Sequence, residues 1–118
     1  MRDPNETAAV VTGASSGIGR AIAVALAASG AGRVLIHYRQ NRQGAEETAA
    51  ACKEHGCETI TCAADLSSSG DRDRLVETAF TGLGKVQTWV NNAGADVLTG
   101  DAGRLDFDAK LRRLIEVD

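Results

Sequence analysis

The segment Thr12-Gly13-Ala14-Ser15-Ser16-Gly17-Ile18-Gly19 follows the aliphatic run Ala8-Ala9-Val10-Val11-Thr12 and precedes an alanine-rich amphipathic stretch. Glycines at that density suit neither a strand nor the interior of a helix, so the segment reads as a strand-to-helix turn. In that setting each glycine has a distinct use. Gly13 permits the tight turn, Gly17 lets the backbone approach a pyrophosphate with no Cβ in the way, and Gly19 lets the helix pack closely on the sheet. The free N–H groups at the helix start, the backbone of Ile18 among them, then face an anion. Ser15 and Ser16 can add hydroxyl donors to phosphate or ribose, and either can equally cap the helix with no ligand at all.

The rest of the chain repeats the alternation. Arg33-Val34-Leu35-Ile36-His37 predicts a second strand, 57–62 a third and 86–90 a fourth. Between them, helices are predicted over 17–29, with Ile22, Leu26 and the alanines on the buried face, over 42–55, stopped by Gly56, and over 70–81, with Leu75, Val76, Ala79 and Phe80 inward. Strand, helix, strand in this rhythm is the pattern of βαβ units on a parallel sheet. The expected fold is therefore α/β, a Rossmann-type doubly wound sheet of strand order 3-2-1-4 with helices on both faces, forming one dinucleotide-binding domain over 1–118. A last helical pattern places Phe107, Leu111, Leu114 and Ile115 on one side and runs to Asp118 with no stop signal.

Composition narrows the function classes. A net charge of -3 gives no basic face for nucleic-acid phosphates, and no apolar run approaches the roughly 20 residues of a membrane span. Met1-Arg2-Asp3-Pro4-Asn5-Glu6 lacks the apolar core of a signal peptide, so a cytoplasmic protein is expected. Cys52, Cys57 and Cys62 show neither a CxxC pair nor a histidine at metal-ligand spacing; free thiols are expected, and no metal.

The octapeptide at Thr12–Gly19 together with Asn91-Asn92-Ala93-Gly94 resembles the short-chain dehydrogenase/reductase family, and Asp65-Leu66 and Leu114-Ile115-Glu116-Val117 extend the likeness over the family's first half. The resemblance implies that Asp65 accepts from the adenine amino group, that Leu66 helps hold the ring, and that the backbone of Asn91, Ala93 and Gly94 lines the ribose and nicotinamide side. A carboxylate suits Asp65's task because it accepts without donating; the competing reading is a helix N-cap. Asn92 is read as tying neighbouring strands together.

Dinucleotide folds that prefer NAD place an acid near the end of the second strand. Here the sequence is His37-Tyr38-Arg39-Gln40-Asn41-Arg42, with no carboxylate to repel a 2′-phosphate and with Arg39 beside the expected acidic position. NADP is favoured over NAD, with Tyr38 and Arg39 at the cofactor; the competing reading makes Arg39 and Arg42 solvated surface residues.

The family's chemistry, hydride transfer between nicotinamide and a carbonyl or alcohol, implies a Tyr, a Lys four residues later, an upstream Ser and an Asn. Tyr38 is the only tyrosine, and Asp118 stands at the Asn position, where an ionised carboxylate cannot donate. No visible residue is catalytic, the open fourth strand suggests truncation, and a homodimer or homotetramer is expected at full length. The alternatives are an inactive NADP-binding regulatory or sensor protein and a small protein that is complete at Asp118.

Overall fold

The computed structural model describes residues 6–93. Its elements are β1 (Ala8–Val11), α1 (Gly17–Ala28), β2 (Arg33–Tyr38), α2 (Arg42–Lys53), β3 (Glu58–Ala63), α3 (Ser69–Leu83) and β4 (Thr88–Val90). All strand pairs are parallel, in the order β3-β2-β1-β4. The expected α/β fold and strand order are those observed.

Burial on both faces explains why the two central strands, β1 and β2, are near-continuous aliphatic runs, while the edge strands β3 and β4 carry exposed polar residues. Val10 and Leu35 point into a core closed by Leu75, Ala79 and Leu83 of α3. Their neighbours Val11, Val34 and Ile36 point the other way, into a core closed by Ala23 and Ala27 of α1 and Ala45, Ala49 and Cys52 of α2. Helices therefore cover both faces, and the carboxyl ends of all the strands emerge on one rim, where the connecting loops gather.

Several details correct the sequence expectation. Along α1 the fully buried positions are Gly19, Ala23 and Ala27, while Ile22 and Leu26 only flank the core. Close approach of the helix to the sheet leaves room for small residues alone on the contact line. Val76 and Phe80 are partly buried, and Arg72 is 6% exposed and fills the first inward position of α3. β4 starts at Thr88, because Gln87 uses both its amide N–H and its side-chain Oε1 to bond Ala8 ahead of the strand. The three cysteines are free and buried. Burial pushes their thiols up, Cys57 to about 11, so none is a ready thiolate. Among the described residues no helix is long and apolar enough to cross a membrane.

Leu75 is fully buried at the centre of the α3 face. Leu75→Ala should lower unfolding free energy by about 2–5 kcal/mol, measured by urea denaturation. A loss below about 1 kcal/mol would mean that the α3 face is loosely packed.

Candidate functional site

At the rim, Thr12 still pairs with β4 through its N–H to the Val90 carbonyl (3.0 Å). The chain then turns through Gly13 and Gly17, both at positive φ (+62° and +58°), and α1 begins. The next two amides are taken by one residue of β2. Gly13 N–H donates to Nδ1 of His37 (3.0 Å), and Ala14 N–H donates to the His37 carbonyl (2.9 Å). From there the pattern changes. The N–H groups of Ser15, Ser16, Gly17, Ile18 and Gly19 meet no acceptor among the described residues, and bonding resumes with Arg20 N–H to the Ser16 carbonyl. Ser16 is the N-cap, but its side chain makes no capping bond, so its hydroxyl is also uncommitted. Ile18 is 73% exposed on the same rim.

The carbonyls of the turn are pinned in the opposite sense. Asn92 Nδ2 donates to the Gly13 carbonyl (3.1 Å), the Thr48 hydroxyl to that of Ala14 (2.7 Å), and Arg20 Nη2 to that of Ser15 (2.7 Å). Arg20 Nε also donates to the Thr48 hydroxyl (2.9 Å), which joins α1 and α2 behind the turn. Negative ends of the peptide dipoles thus point into the protein and positive ends point out, and the dipole of α1 adds to them. A Cβ on Gly17 would meet nothing within 4 Å, so that glycine faces open space, whereas one on Gly19 would collide with the Gly13 carbonyl oxygen.

The second wall follows β3. Asp65 Oδ1 accepts from the Ser67 N–H (3.0 Å) and hydroxyl (2.7 Å), and the Asp65 N–H donates to Asp71 Oδ2 (2.8 Å). The helix cap is Ser68, not Asp65. Hydrogen bonds from Ser67, with a smaller contribution from the Arg39 charge, hold the Asp65 carboxyl below the usual carboxylate range. Arg72 donates to the Leu66 carbonyl (2.9 Å) from beneath. Tyr38 is half-buried at the end of β2, and Arg39 lies exposed beyond it without an ion pair among the described residues. Arg42 pairs with Glu46 on the exposed surface of α2 (3.1 Å).

At the end of β4, Asn91 Oδ1 and the Ala93 N–H both bond the Thr12 hydroxyl (3.2 and 3.0 Å). Asn92 has the tying role expected of it, between β4 and the glycine turn. Gly94 and Asp118 lie outside the described residues.

Sequence reasoning passed over His37, Arg20, Thr48 and Gly44. Gly44 carried the clearest signal, a glycine inside a helix; its Cβ would strike the Ser15 carbonyl oxygen. His37 is buried and its Nε2 lies 2.8 Å from the Ala64 carbonyl. Since Nδ1 accepts from Gly13, Nε2 carries the proton and the ring is neutral. Burial pushes its pKa below the ordinary 6.5, with the bond to Ala64 opposing.

Known proteins resemble this chain in sequence and fold. Residues 7–118 match the model of the family described as short chain dehydrogenase. A 3beta-hydroxysteroid dehydrogenase 1 of Eggerthella lenta is 41% identical over 88 residues, covering 75% of this chain and 33% of that protein. A 3-oxoacyl-[acyl-carrier-protein] reductase of Synechocystis is 38% identical over 86 residues, 73% of this chain and 34% of that one. A solved Burkholderia cenocepacia structure with bound NADP aligns at a TM-score of 0.71 and 34% identity, over 73% of this chain and 33% of that one. The chain spans about a third of the length of these relatives.

Two outcomes test the site's construction. Alanine raises helix propensity over glycine by about 1 kcal/mol, yet Gly44→Ala should destabilise the protein, as read by its thermal midpoint; a stabilised variant would refute the contact with Ser15. For His37, the native ring resists a proton that the unfolded chain accepts below pH 6.5. Its contribution is therefore whole above that pH and declines as pH falls, by up to about 1.4 kcal/mol per pH unit. Chemical denaturation across that range should show the slope in the native protein and a flatter one in His37→Phe.

Proposed function

The chain belongs to the short chain dehydrogenase family, and from that membership we propose that residues 1–118 are the dinucleotide-binding domain of an NADP-dependent oxidoreductase. The observation that carries this reading is the row of uncommitted N–H groups from Ser15 to Gly19 at the start of α1. Such a row, with its carbonyls tied back, fits a pyrophosphate, and the Ser15 and Ser16 hydroxyls add donors.

The other assignments follow the same rim. Asp65, with Oδ1 held by Ser67, keeps Oδ2 to accept from the adenine amino group, beside Leu66. The backbone of Asn91, Ala93 and Gly94 borders the ribose and nicotinamide. Tyr38 and Arg39 meet the ribose 2′-phosphate, on a stretch from His37 to Arg42 with no carboxylate. The NADP bound in the Burkholderia cenocepacia structure supports this choice. When bound, the nicotinamide supplies or takes a hydride; the part of this chain's residues is to hold and orient it.

The substrate proposed is a small carbonyl compound or the corresponding alcohol, the interconversion that the names of the steroid and oxoacyl relatives describe. Proton transfer to that substrate belongs to residues other than those assigned here. A cytoplasmic, homo-oligomeric enzyme completes the proposal, the buried free thiols fitting a reducing compartment.

Fluorescence titration with NADPH and NADH tests the reading. Arg39→Asp should weaken NADPH by about 10- to 100-fold, the worth of a hydrogen-bonded charge, while leaving NADH within a few-fold. An unchanged preference would remove the 2′-phosphate assignment. Gly17→Val should abolish binding of both, through its positive φ and the filled approach; retained affinity would refute the pyrophosphate site.

A further inference from the structure

Among the described residues, His37 hydrogen-bonds to both walls of the rim. It lies in β2, between β1 and β3, and is 2% exposed. Its carbonyl and Nδ1 take the N–H groups of Ala14 and Gly13 in the turn after β1, and its Nε2–H donates to the Ala64 carbonyl directly before Asp65. We propose that His37 is a positioning residue for the cofactor: it decides which amides of the glycine turn are left for phosphate and fixes that turn against the Asp65 wall. The inference rests on the cofactor reading above and deepens it.

The reasoning is one of hydrogen-bond supply. The turn offers a run of consecutive amides, and an anion competes with the protein for each. By consuming those of Gly13 and Ala14, His37 makes Ser15 the first free donor. Among the described residues Nδ1 is the acceptor bonded to Gly13 N–H; the nearby Asn92 amide nitrogen is a donor and cannot take its place, and the Thr12 hydroxyl already accepts from Ala93. With Nδ1 gone, Gly13 N–H would be a half-buried donor without that acceptor, and a glycine at positive φ can swing that peptide toward the anion site. The second ring nitrogen makes the arrangement specific. A ring that accepts from Gly13 at Nδ1 must donate at Nε2, and only a group with both functions across a rigid five-membered ring spans from the turn to Ala64.

Two substitutions separate the functions. His37→Asn keeps an acceptor branching from Cγ, as Nδ1 does, but falls short of Ala64; His37→Gln reaches toward Ala64 but loses that acceptor. In the full-length protein, NADPH affinity should fall about tenfold or more in His37→Phe and His37→Gln, and by a smaller factor of a few-fold in His37→Asn, which loses only the tie to Ala64. Amide hydrogen exchange of the ligand-free protein should show Gly13 protected in native and His37→Asn and exposed in the other two. Ring nitrogen NMR of the native protein should show Nε2 protonated and Nδ1 bare. Equal affinity in all variants, equal loss in His37→Asn and His37→Gln, or a protonated Nδ1 overturns the proposal. If His37→Phe does not fold, the Asn and Gln pair decides. A native protein that binds neither NADPH nor NADH defeats the cofactor reading instead, while Gly13 exchange and the ring tautomer still judge whether His37 holds the turn.

Discussion

The structure depends on how one turn divides its peptide groups. Between Gly13 and Gly19 the carbonyls go to the protein and most of the N–H groups do not. A buried peptide group without a partner is costly, so this division persists only because the free donors lie at the solvent-facing rim and the pinned acceptors lie behind it. Every other feature of the site serves to hold that division in place.

The holding groups come from four elements. Asn92 follows β4, His37 lies in β2, Thr48 and Gly44 belong to α2, and Arg20 to α1. The four elements are separate in sequence, and the sheet order β3-β2-β1-β4 is what brings them to one turn. Local geometry at the turn therefore depends on tertiary packing of both cores. A change in α2, remote from any ligand, acts on the site through the Ala14 and Ser15 carbonyls.

The fold was legible because its signals are local. Aliphatic strands, alanine-rich helices and glycine punctuation each follow from short-range sterics and from burial on both sheet faces. The glycine turn was legible for the same reason, since Gly13, Gly17 and Gly19 are demanded by backbone conformation and contact. What holds the turn was not legible, because it is made of long-range hydrogen bonds. His37 reads as the polar end of an apolar strand, Arg20 and Thr48 as ordinary helix residues, and Arg72 as a surface cation, until the fold sets a carbonyl before each. Asp65 was ambiguous between cap and acceptor for a related reason. A carboxylate ahead of a helix serves either purpose, and only the observed Ser68 cap and the Asx turn to Ser67 separate them. Ile22 and Leu26 misled because hydrophobicity marks the buried face of a helix only when there is depth to receive large side chains.

The Arg39 region carries an electrostatic consequence of its own. On the proposed reading a 2′-phosphate arrives beside Asp65, a carboxylate held ionised by Ser67 and close enough to feel the Arg39 charge. The phosphate and the carboxylate repel each other, and with Arg42 paired to Glu46 a single exposed guanidinium must offset both. Exposed charges of this kind are screened over roughly 8 Å at physiological ionic strength. Discrimination between the two dinucleotides then comes from the geometry of the Arg39 hydrogen bonds to phosphate more than from the field around them. The proposed pyrophosphate site, built of fixed peptide dipoles at a helix start, is by contrast a property of the fold itself, so on this reading binding and cofactor choice rest on separate parts of the same rim.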